Sequence, residues 1–112
     1  MKPRITVITL GVDGLETSLR FYRDGLGLPT EGINRAEVEH GAVVFFELQV
    51  GLQLALFPRA SIAWDAGVPA SPPSPTEFTF GHNVASKEKV DAVKEQARKA
   101  GAVIVKEAQD TF

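Results

Sequence analysis

A chain of 112 residues that is 44% hydrophobic has the length of one domain, with a single core burying roughly two-thirds of the surface that an unfolded chain exposes. Its 12 basic and 14 acidic residues are interspersed and sum to −2, which leaves no concentrated positive surface for a phosphate backbone and excludes nucleic acid as a partner. No apolar run approaches the ~20 residues that span a bilayer, and the N-terminus shows no basic-then-apolar leader, so no membrane partner is expected and the chain reads as cytoplasmic.

From Arg4 to Gly11 the residues are β-branched and apolar almost without a break, the pattern of a strand buried on both faces or nearly so. Asp13-Gly14 turns the chain. Leu15, Leu19, Tyr22 and Leu26 then keep one helical face apolar, and Gly25 and Gly27 end that helix. After Pro29 comes a weak, polar strand candidate near residues 31–37. The runs Gly41 to Leu48 and Leu52 to Phe57, joined across Gly51 and stopped by Pro58, predict a hairpin. Residues 60–75 read as a connector: one helical turn near Trp64, then Gly67, Pro69, Pro72, Pro73 and Pro75, which suit no regular element.

The pattern then starts again. Residues 77–84 read as a strand, Ser86 as an N-cap, and Lys87 to Ala100 as a helix burying Val90, Val93 and Ala97, with Glu88 in the dipole-favoured first turn. Gly101 closes that helix, and a strand follows at 102–106. Aligning Val12 with Val84 and Gly27 with Gly101 gives a repeat offset of about 72 to 74 residues, the mark of a duplicated unit.

At this level the sequence resembles the vicinal oxygen chelate superfamily of glyoxalases, ring-cleaving dioxygenases and antibiotic-resistance binding proteins. The resemblance is carried by Val12 to Leu28, with its Ser-x-x-Phe-Tyr stretch and Leu-Gly-Leu turn, by Leu54-Ala-Leu-Phe-Pro58, and by Phe80-Gly-His-Asn-Val84 running into a Ser-Lys-Glu start. It implies an α+β fold in which tandem βαβββ modules form a cup-shaped mixed sheet with the helices outside. The expected division is module one at 1–59, the connector at 60–75 and a partial module two at 76–112, together one domain. Module two is short of two strands, on the order of 20 to 25 residues. Either the chain is a truncated product or another copy completes the sheet; truncation is the favoured expectation, because an unfinished sheet leaves an edge prone to pairing.

The resemblance also places metal ligands on the first and last strands of each module. Those positions fall here on Val7, Thr79 and Ala55, none of which can replace the imidazole or carboxylate donors that a divalent ion needs. Slipping the alignment brings up Thr9, Gln53 or Gly81, still a poor set. Zero cysteines remove disulfides, thiolate nucleophiles and Cys-based zinc sites, and two histidines, His40 and His82, cannot make a triple-histidine site in one chain. His82 is expected to pack or hydrogen-bond near the helix start and His40 to be exposed in a turn. Glu37, Glu39 and Glu47 are candidate general bases if one lines the cleft, though solvated strand positions are the simpler reading. Phe45, Phe46, Phe57, Phe78 and Phe80 are expected mainly in the core, with Phe57 the best candidate for a cleft wall because it shares a face with Gln53 and Ala55.

The expected function is small-molecule binding or sequestration in the sheet cleft, with no metal and no cofactor, by a homodimer whose ligand-binding residues are Thr9, Gln53, Phe57 and Thr79. One competing reading is a metal-dependent lyase, isomerase or dioxygenase, since one fold hosts many chemistries. The other is a non-catalytic structural homodimer.

Overall fold

The structure is a computed structural model and describes residues 1–35 and 41–106. Two compact units divide it, Met1–Ser71 and Pro72–Phe112. In the first, strand β1 (Val7–Val12), helix α1 (Leu15–Leu19), strands β2 (Thr30–Asn34), β3 (Val43–Glu47) and β4 (Gln53–Pro58), and helix α2 (Arg59–Ala66) follow in chain order. The second contains helix α3 (Lys87–Lys99).

The four strands form one mixed sheet in the order β1-β4-β3-β2. β4 runs parallel to β1 and antiparallel to β3, and β2 runs antiparallel to β3 with an irregularity between Thr30 and Ile33. Strand alternation sends Leu10, Val44, Phe46, Leu54 and Leu56 to one face, where they cluster with Leu19 of α1. Phe46, Leu56 and Val44 are the largest fully buried side chains, and each stabilises the fold by roughly 1.5–3 kcal/mol through removal from water. β1 is shorter than its apolar run and is not buried on both faces: Val7 and Thr9 are exposed while Leu10 is buried. The Leu10 side faces the core, whereas on the other side α2 reaches only the Gly11 end and leaves Val7 and Thr9 to solvent.

The first helix departs from the expected pattern. From Arg20 to Gly25 it continues as a π-helix, and the Leu26 N–H donates to the Phe21 carbonyl at 3.0 Å, a five-residue step. Widening the helix by one residue per turn rotates Leu26 away from the stripe it shares with Leu15, Leu19 and Tyr22, and Leu28 packs on the core instead. Tyr22 lies against Phe46 with ring centroids 5.8 Å apart, and Phe21 meets Tyr22 edge-on at 5.0 Å. Gly27 ends the segment at φ +77°, a left-handed geometry that costs glycine nothing.

In the segment expected as connector, α2 makes two turns rather than one and follows β4 directly. It buries Ser61 and Ala63 and packs against β1 and β4. Arg59 fastens it, donating through Nε to Asp13 at 3.0 Å and through Nη2 to the Gly11 carbonyl at 3.1 Å. A side chain on Gly11 would place its Cβ 3.3 Å from Ile62 Cδ1, so the bare backbone there permits the close approach of α2.

The second unit is different. Ser86 caps α3 as expected, its Oγ accepting from the Lys89 N–H at 3.2 Å, and Arg98 pairs with Glu95 along the helix. Residues 77–84 and 102–106, expected as strands, form none. Val90 is 44% exposed, Val93 and Ala97 are half-buried, and no described residue of this unit is buried. Phe78 and Phe80 lie against each other with ring centroids 5.3 Å apart, yet both remain exposed rather than joining a core. Apolar alternation specifies a face; it becomes a strand only with a ladder partner, and the described residues of this unit supply none.

Candidate functional site

The face of the sheet opposite α1 is built by the alternate residues of β1, β4 and β3. Register aligns them in rows: Val7 opposite Gln53 and Gln53 opposite Glu47, then Thr9 opposite Ala55 and Ala55 opposite Phe45. Ala55 is buried because its short side chain lies between longer neighbours on both adjacent strands, whereas Thr9, Phe45 and Glu47 are exposed. The hairpin turn decides this arrangement. Leu48 donates to the Leu52 carbonyl at 3.0 Å, and the strands leaving that turn bring Glu47 and Gln53 side by side.

These two side chains are joined. Gln53 Nε2 donates to Glu47 Oε1 at 2.5 Å, an arrangement that fixes the amide orientation, since a carboxylate can only accept. Toward β2 the face falls into a groove of about 430 Å³ whose lining includes Thr30, Glu31, Asn34, Phe45, Glu47 and Gln53. Thr30 is held from both sides: its hydroxyl donates to the Phe45 carbonyl at 2.6 Å and accepts from the Gly32 N–H at 3.1 Å. The irregular pairing of β2 beside Thr30 opens the groove at the sheet edge, where such departures from the ladder are common.

Of the residues expected to bind ligand, Gln53 lines this groove. Thr9 and Phe57 lie on the same face farther along the strands, Phe57 opposite Gly11 near the α2 end. Thr79 belongs to the second unit, exposed and outside any strand. His82, expected to be packed near the start of α3, is exposed instead, because no sheet forms beneath that segment among the described residues. His40, Glu37 and Glu39 lie outside the described residues. Sequence reasoning undervalued Glu47 and Phe45. Their signal was the short hairpin, which sets both beside β4, but its register is invisible until the turn is seen.

The sequence profile of the glyoxalase/bleomycin resistance protein/dioxygenase superfamily matches residues 4–112. The chain belongs to this superfamily. A solved glyoxalase-related enzyme from Fulvimarina pelagi is 30% identical with a TM-score of 0.70 over 88% of this chain, and this chain spans 66% of that one. A glyoxalase/bleomycin resistance protein/dioxygenase from Nocardioides is 27% identical with a TM-score of 0.72, covering 99% of this chain and 70% of its own. A hypothetical protein from S. aureus, 22% identical with a TM-score of 0.76 over 99% of this chain and 79% of its own, shares the fold. No curated protein matches the chain.

Members of the superfamily that use a metal need several strong donors converging on one point. Val7 and Ala55, at the positions where the resemblance places ligands in the first unit, offer none. Beside them stand one carboxylate and one amide already bonded to each other, and no group of three or more His, Cys, Asp or Glu able to hold an ion exists among the described residues. That donor set does not fit a divalent-metal centre.

Tyr22 and Asp24, both away from the groove, have displaced protonation. Burial on the α1 side pushes the Tyr22 phenol up from its ordinary value. On the surface, a hydrogen bond from Arg23 at 2.7 Å holds Asp24 below the usual carboxylate range, as an exposed pair of small energetic weight.

Proposed function

We propose that this protein binds or sequesters a small molecule on the open face of its sheet without a bound metal, as a cytoplasmic homodimer. The observation that carries the reading is the groove beside Glu47 and Gln53. It combines an exposed aromatic wall, Phe45, with a few fixed polar groups and, among the described residues, no metal-binding donor set, which is the composition of a ligand pocket. Thr9 and Phe57, farther along the same face, extend the surface available to a larger ligand, and Thr79 is the contribution proposed for the second unit. No helix among the described residues is long and apolar enough to cross a membrane.

A ligand that binds the folded state alone stabilises it by about 2.7 kcal/mol at a hundred times its dissociation constant. Thermal-shift screening in the presence of a chelator is therefore the direct test. The reading expects stabilising compounds whose effect is indifferent to the chelator, with size-exclusion chromatography showing a dimer. Stabilisation that appears only after adding zinc, nickel, iron or manganese would favour the metal-dependent lyase, isomerase or dioxygenase instead.

A further inference from the structure

We infer that the groove selects a compact organic cation carrying N–H donors, of the amine, amidine or guanidine class; this rests on the binding function proposed above. The argument is one of hydrogen-bond polarity. Glu31 and Glu47 both line the groove, and ionised carboxylates only accept. The Thr30 hydroxyl hydrogen is spent on the Phe45 carbonyl, and Gln53 spends one amide hydrogen on Glu47. The charge that remains at the groove is all negative, from the second Glu47 oxygen and the Glu31 carboxylate, beside the neutral amides of Gln53 and Asn34, which can both donate and accept. Among the described residues no lysine or arginine lines it, and the Arg4 guanidinium lies instead over the backbone of Gly51 in the β3–β4 turn.

Charge and shape point the same way. An anion entering here meets two carboxylates, whereas a cation is attracted by both, and the net charge of −2 adds to its capture. Phe45 is 41% exposed on the same face, next to Glu47 in the strand but one on the chain, and its ring can carry the apolar body or the cationic head of such a ligand. Gln53 holds Glu47 in place before any ligand arrives, so little side-chain freedom remains to be lost on binding.

Benzamidine, benzamide and benzoate form a nearly isosteric series of cation, neutral and anion, and their titration into isotopically labelled protein at low ionic strength tests the inference. Benzamidinium is expected to shift the amide signals of Phe45, Glu47 and Gln53 and to bind more tightly than benzamide by roughly tenfold, the loss of one charge-assisted hydrogen bond. Benzoate is expected to bind most weakly. Glu47→Gln should reduce the preference for benzamidinium over benzamide several-fold, with the dispersed amide signals of the sheet reporting that the variant is folded, and an undiminished preference would overturn the role of Glu47. Equal or tighter binding of benzamide or benzoate at these residues would overturn the charge selection and leave small-molecule binding standing. If benzamidinium leaves these three signals unmoved at millimolar concentration, the groove is not the cation site.

Discussion

The two units of this chain begin with the same pattern, a strand-like run, an amphipathic helix and a closing glycine, and they end in different physical states. In Met1–Ser71 the pattern is followed by a hairpin whose Val44, Phe46, Leu54 and Leu56 meet the helix and bury. In Pro72–Phe112 the described residues hold a well-capped helix with nothing buried around it. Local pattern is therefore necessary for this core and insufficient for it. Partner strands convert alternation into burial, and burial supplies most of the stability of a helix of this length.

The sharpest way to break that comparison is to truncate one aromatic in each unit. Phe46→Ala, at 0% exposure and against Tyr22, is expected to cost about 3–5 kcal/mol in urea unfolding. Phe80→Ala, exposed beside Phe78, is expected to stay within about 0.5 kcal/mol. Similar losses at both sites would mean that the units share one core.

Amide hydrogen exchange resolves the same contrast along the chain. The amides of β3 and β4 are expected to open only with global unfolding, and those of α3 through local opening at much lower free energy. Equal protection in the two would contradict the account. Within α3, Ser86→Ala removes the cap on the Lys89 N–H and is expected to cost the helix about 1 kcal/mol. Helical circular dichroism should fall while the unfolding of the sheet is unchanged.

The smallest effect concerns Tyr22. Its folded-state pKa is raised by burial above the ordinary 10.0, so the stability it contributes is fully present below that value and is lost as pH rises through the folded-state pKa. Unfolding midpoints measured through the alkaline range should decline more steeply for the natural chain than for Tyr22→Phe. Parallel declines would show that another group carries the alkaline sensitivity.

Much of the first unit was legible because its signals are local. The β-branched run of β1 and the hairpin around Gly51 each lie within a few residues of sequence, as does the Ser86 cap in the second unit. The π-helical step at Arg20–Gly25 was not legible, since a five-residue hydrogen bond leaves no residue-type signature; Leu26 therefore looked like a core residue where Leu28 is one. The strands expected at 77–84 and 102–106 failed for a different reason: alternation says which side chains would share a face, and nothing about whether a neighbouring strand is there. At the site, the poverty of metal donors could be counted from composition and position. The groove could not, because it depends on the register that puts Glu47 against Gln53 and on the irregular pairing of β2 beside Thr30.

Metal stoichiometry by elemental analysis of the purified, tag-free protein tests the central claim most directly, that the open sheet face works without an ion. The account predicts a ratio of metal to chain near zero, with ligand binding unchanged by a chelator. A stoichiometric transition metal removed together with ligand binding would contradict it, and would require donors beyond Glu47 and Gln53 to converge on that face.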